Sequence, residues 1–150
     1  MVSRTDSEIE MNAEIATVNT EAVGRITASV KVTNARDASQ SLRFDALVDT
    51  GSAFLVLPSA WRGRLGALEA MQRVTVETAT QDTVEGEVCG PVRIEVEGFR
   101  PIYSEVLFLD MNSANGAFEP LLGYIVLEQC QAAVDLLSHR LIPGKPVDAK

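Results

Sequence analysis

The chain has 150 residues, one domain's worth and enough to bury a core without disulfide or metal staples. Apolar residues make up 46% and aromatics 5%, which argues against a disordered chain and leaves aliphatic Val, Leu and Ile to build the core. The formal net charge of -8 argues against a nucleic-acid partner and gives no polybasic signal for an anionic membrane.

No internal repeat or low-complexity tract is visible. Residues 1–12 are polar and read as a loose arm, with no apolar stretch of the kind a secretory signal carries. No apolar run approaches the length of about eighteen residues that a spanning helix needs, so a cytoplasmic location is expected. One domain is expected over 13–143, with a tail over 144–150. Residues 15–18 read as a short strand. Along 26–32, Ile26, Ala28, Val30 and Val32 share one face, the period-2 signal of a half-buried strand. A polar turn is expected over 34–40. Residues 41–48 alternate again, with Leu42, Phe44, Ala46 and Val48 on one face, and run into Asp49-Thr50-Gly51-Ser52.

The apolar run 53–57, ended by Pro58, reads as a strand buried on both faces. Ser59 is placed to cap a short helix over 60–65. Residues 74–79 and 84–96 read as hairpin strands, and 106–109 as another buried strand. A polar loop over 110–119 carries an Asn115-Gly116 turn signal. A short helix over 124–129 follows Pro120-Leu121-Leu122-Gly123. A last hairpin is expected over 132–142, turning at Leu137-Ser138-His139. The sum is a mostly-β barrel or sandwich with one or two short helices.

An Asp at the end of a buried apolar strand is costly unless its ionised form is hydrogen-bonded or solvated in a cleft. The residues after Asp49 supply that environment. Gly51 permits a tight turn whose amides point at the carboxylate, and Thr50 and Ser52 bring hydroxyls. A turn between strands also favours Asp and Gly for structural reasons alone, so the tripeptide by itself is weak evidence.

Its context is more specific. The segment Ala46-Leu47-Val48-Asp49-Thr50-Gly51-Ser52-Ala53-Phe54-Leu55-Val56-Leu57-Pro58 resembles the active-site strand and turn of retropepsin-like aspartic peptidases. Pro120-Leu121-Leu122-Gly123 resembles that family's second signature, two apolar residues and a Gly before a short helix. Residues 74–96 stand where the family places its flap, and the resemblance runs over about 26–142. It implies a closed, mostly-β acid-protease lobe with Asp49 as catalytic carboxylate and Thr50, Gly51 and Ser52 as support. The active site of such a lobe needs two Asp-Thr-Gly turns, and this sequence holds one. The simplest source of the second is a two-fold homodimer. Two carboxylates about 3 Å apart share one proton; the ionised member activates a water and the protonated member donates to the scissile carbonyl. No metal, cofactor or covalent intermediate is required.

By the same resemblance, Thr50 bonds its partner copy across the dimer axis. Ser52 donates to the Asp49 carboxylate and extends activity toward acid. The flap tip reads Ala79, Thr80, Gln81 and Asp82, a departure from the family's Gly-rich tip, with Gly86 as a hinge. The expected substrate is a peptide with apolar residues near the scissile bond.

The remaining residues take blander roles. His139 reads as a surface residue, Trp61 as packing, and Asp135 as a structural hydrogen-bonding group. Cys89 and Cys130 match no zinc or redox spacing; they read as small buried hydrophobes, with a single disulfide the other open reading. Glu85, Glu87, Glu95 and Glu97 read as solubilising charges on exposed strand faces. A non-catalytic dimerisation or peptide-binding module on the same fold is the competing function. A third is a peptidase silent until a missing domain or partner orders its flap.

Overall fold

The computed structural model describes residues 25–77, 81–111 and 119–144. The arm at 1–12, the expected strand at 15–18, Ala79 and Thr80, the Asn115-Gly116 turn and residues 145–150 lie outside them.

Strand β1 (Thr27–Asn34) pairs antiparallel with β2 (Asp37–Val48), with Val30 opposite Phe44 and Val32 opposite Leu42. The alternation read from sequence is realised: Val30, Val32, Leu42 and Ala46 are buried. The polar turn expected over 34–40 contracts to Ala35 and Arg36, and β2 starts at Asp37. Buried Asn34 is the reason. Its Nδ2 donates to the Leu65 and Ala67 carbonyls, both at 2.8 Å, and its Oδ1 accepts from the Arg36 amide at 2.9 Å. The Arg36 bond closes the turn tightly, and the other two tie it to a segment more than thirty residues further along the chain.

The buried strand β3 (Leu55–Pro58) follows the Asp49 turn and runs parallel to β6 (Ile102–Leu109), Leu55 against Val106. A 3₁₀ helix (Ser59–Leu65) succeeds it. Pro58, not Ser59, occupies the N-cap, and no side chain caps this helix. Strands β4 (Glu69–Glu77) and β5 (Thr83–Val96) form a long hairpin. β4 begins five residues before the expected 74, because it is an edge strand with 69–73 exposed on both faces and no apolar alternation to mark it.

Strand β7 (Leu121–Leu122) precedes helix α1 (Tyr124–Gln129). The hairpin β8 (Ala132–Asp135) and β9 (Arg140–Pro143) forms a separate two-stranded sheet. The large sheet has the order β1-β2-β7-β3-β6-β5-β4, and β1 also pairs with β5. That pairing closes the sheet on itself and leaves β4 outside the ring. Inside sit Val30, Val32, Leu55, Leu57, Ile94, Val106, Phe108 and Leu122, the aliphatic core the composition required. Among the described residues, no helix is long and apolar enough to cross a membrane.

Candidate active site

The site forms where β2 ends. The Val48 amide donates to Ile26 O at 2.8 Å and the Asp49 amide to Leu122 O at 3.0 Å, so both neighbours of β2 hold its last residues. The chain then turns: the Ser52 amide donates to Asp49 O at 3.1 Å, and the Gly51 amide to Asp49 Oδ1 at 3.0 Å. The carboxylate therefore has a backbone donor held against it by the turn. It is half-buried, while Thr50 and Gly51 lie exposed at the surface beside it. A Cβ on Gly51 would stand 3.2 Å from Asp49 Oδ1, closer than ordinary contact.

The second signature locks this turn from behind. β7 runs parallel to β2, with Val48 opposite Leu122, and pairs with β3 at Val56 and Leu121. Gly123 then passes so close to the turn that a Cβ would meet Ser52 O and Phe54 O at 2.4 Å. The next two amides, Tyr124 and Ile125, donate to Ser52 O at 2.8 Å and Ala53 O at 3.0 Å. A helix start normally leaves its first amides without intrahelical partners; here the turn's carbonyls take them. Leu121, Leu122, Gly123 and Asp49-Thr50-Gly51-Ser52, distant in sequence, are one structural unit.

Ser52 differs from expectation. It is buried, and its hydroxyl donates to Phe54 O at 3.3 Å rather than to the Asp49 carboxylate. The turn places Phe54 O next to Ser52 Oγ, and a hydroxyl has one proton to give.

Beside the turn lies a second apolar cluster, separate from the main core. Val56, Val88 and Leu107 are its buried base, and Phe54, Val74, Leu109, Met111 and Leu121 pack on it half-covered. Sequence reading passed over it as core, because outward-facing aliphatics on a strand buried on both faces carry no distinguishing pattern.

Of the flap residues, Gln81 and Asp82 are described; both are exposed, and Gln81 has φ of 68°. Gly86, expected as a hinge, lies inside a paired strand. It sits in β5 opposite Val74 and Leu109, and a Cβ there would lie 2.6 Å from Leu109 Cδ2 and 2.8 Å from Phe108 O. Close packing on β6 explains the glycine. Glu87 is not a free surface charge either: it pairs with Arg62 and Arg73. Glu95 likewise pairs with Arg93. A cavity of about 350 Å³ lies at this hairpin base, lined by Arg62, Arg73, Glu85, Glu87 and Asp110 among others; Asp49 does not line it.

Trp61 packs at the core margin, 5.7 Å from Phe44 between ring centroids, with Arg64 over its face. His139 is exposed in the β8–β9 turn with φ of 62°. Asp135 Oδ1 accepts from the Leu137 and Ser138 amides and Oδ2 from the Ser138 hydroxyl, the structural role expected of it. Cys89 and Cys130 are free and buried, and burial pushes both thiols up in pKa.

No family model matches the sequence, and no curated protein matches it. Solved structures do. The chain is similar to an EIAV protease complexed with the inhibitor HBY-793, with 26% identity and a TM-score of 0.52, over 75% of this chain and 92% of that one. That likeness supports a retropepsin-like fold, and with the mostly-β ring and two short helices the chain has the architecture of an acid-protease lobe.

Proposed function

We propose that the chain is one half of a homodimeric aspartic endopeptidase, with Asp49 as its catalytic carboxylate. The observation that carries this reading is the turn itself. Asp49 is presented half-exposed, its Oδ1 held by the Gly51 amide, on a loop fixed by Leu122 and Gly123. The likeness to a protease of the same architecture supports it.

One carboxylate is half of an acid-base pair. In the dimer, Asp49 and its copy stand about 3 Å apart and hold one proton between them, because like charges at that distance do not both ionise readily. Their pKa values belong to the pair. The ionised member takes a proton from a water held between them as that water attacks the scissile carbonyl. The protonated member donates to the carbonyl oxygen. The resulting diol collapses with proton return to the amide nitrogen. Thr50, exposed at the turn, meets its copy across the axis, and Gly51 leaves room for substrate backbone. The half-covered apolar cluster of Phe54, Val74, Leu109, Met111 and Leu121 supports a preference for apolar side chains near the cut.

The test is cleavage of a mixed peptide library from acid to neutral pH by the full chain, beside Asp49→Asn. Cleavage lost in the variant is the expected result. A demonstrated dimer that cuts nothing at any pH would instead indicate a binding module on the same fold.

A further inference from the structure

The β4–β5 hairpin has a root and a projecting arm. β5 pairs with β6 as far as Gly86 opposite Leu109, and the Asp110 amide donates to Glu85 O at 3.0 Å. Beyond that point, 76–77 and 83–84 pair in the ladder only with each other. β4 has no second strand neighbour, and its residues 69–73 are exposed. Its side-chain ties to the body are few. Val74 packs in the apolar cluster with Leu121, and Glu69 meets Arg36 at 3.8 Å, both groups well exposed.

The tie at the root is of another kind. Glu87 is forked: Oε1 takes Arg62 and Oε2 takes Arg73 at 3.4 Å. Arg73 lies directly opposite Glu87 on β4, so this arm of the fork spans the hairpin. Arg62 belongs to the 3₁₀ helix, so the other arm leaves the hairpin for the segment that follows the Asp49 turn through β3. The Glu87 and Arg62 side chains are 25% and 32% exposed, against 75% for Arg73. The Arg62 link is therefore the better shielded and the stronger. A surface cavity lies beside it, lined by Arg62, Arg73 and Glu87 among others.

We propose that Glu87 is a positioning residue: through Arg62 and Arg73 it fixes the root of the β4–β5 arm to the 3₁₀ helix that follows the Asp49 turn and β3. The kinetic part of this proposal rests on the aspartic-peptidase reading; the mechanical part does not. Loss of the fork lets the arm and its Val74 shift against the apolar cluster, so substrate binding weakens while the Asp49 turn, held by Leu122 and Gly123, keeps its shape.

The experiment uses the full chain with Glu87→Gln, Arg62→Gln, Arg73→Gln and the Arg62→Gln/Glu87→Gln pair. Amide hydrogen exchange of β4 and of 83–84 is compared with that of the β1–β2 ladder, alongside steady-state cleavage of a peptide identified from the library. Glu87→Gln and Arg62→Gln are expected to speed exchange in the arm about two- to fivefold, and Arg73→Gln less. The double variant is expected to match Glu87→Gln, since that substitution already breaks the one arm that Arg62→Gln removes. The β1–β2 ladder stays unchanged, and KM rises by about the same factor with kcat held. Unchanged exchange in the arm, additive effects of the two substitutions, or equal loosening of β1–β2 would overturn the proposal. A fall in kcat with KM held would overturn its kinetic part. Wild-type protein that cuts no peptide would sink the peptidase reading, and the exchange comparison would still decide the tie.

Discussion

Gly123 lies against the carbonyl of Ser52 so closely that a Cβ would stand 2.4 Å from that oxygen. A glycine seventy-one positions after the turn is thus a condition of the turn's shape.

Gly123→Ala is expected to force backbone apart, since Phe54 O is at the same distance and the Ala53 carbonyl carbon is at 2.7 Å. No flexible side chain is available to yield. We expect a loss of about 1–3 kcal/mol, seen as a fall of several degrees in Tm, with cleavage lost although Gly123 touches no reacting atom. Thermal unfolding beside peptide cleavage checks both.

Ser52→Ala removes one long hydrogen bond to Phe54 O. The expected cost is about 1 kcal/mol in chemical denaturation. Because the hydroxyl proton is given to that carbonyl, the pH-rate profile of the variant is expected to overlay the wild type. A shift of its acid limb would mean that Ser52 reaches Asp49 in the dimer.

Asn34→Asp keeps the shape and removes the donor. The new carboxylate would face the Leu65 and Ala67 carbonyls across the former 2.8 Å bonds. With the site buried, we expect a loss of about 3 kcal/mol by urea denaturation, among the larger single-site effects in this fold.

The Asp135 carboxyl is held below its ordinary 3.8 first by the Ser138 hydroxyl, then by the Ser138 and Leu137 amides. A carboxyl depressed in the folded state binds its proton less readily there than in the unfolded chain. Its contribution is present above the unfolded value and fades as pH falls from about 4 through the lower folded value. Asp135→Asn is therefore expected to lower Tm at neutral pH and to converge on the wild type in acid. A gap in Tm constant from neutral to strongly acid pH would contradict the assignment.

Much of this fold was legible because its signals are local. Alternation in β1 and β2 follows from one face meeting the core, and the 124–129 helix emerged with its expected bounds. The Asp49 turn was legible for the same reason: an ionisable residue at the end of an apolar strand needs donors, and Gly51 supplies one. What escaped depends on partners remote in the chain. The first half of β4, residues 69–73, is held by its neighbour and not by an apolar face. Asn34 looked like a turn residue, and its burial comes from the 3₁₀ helix exit folding onto it. Ser52 had two acceptors within reach, and only the path of Phe54 decides between them. Glu87 became a junction when Arg62 and Arg73 arrived from either side.

The central claim is that two copies of Asp49, one from each chain, make one site. Mixing wild-type protein with Asp49→Asn at constant total concentration, with time for subunits to exchange, tests it most directly. If both carboxylates are required, peptide cleavage falls as the square of the wild-type fraction, because mixed dimers are inert. A fall in direct proportion to that fraction would mean that each chain works alone, and would contradict the account.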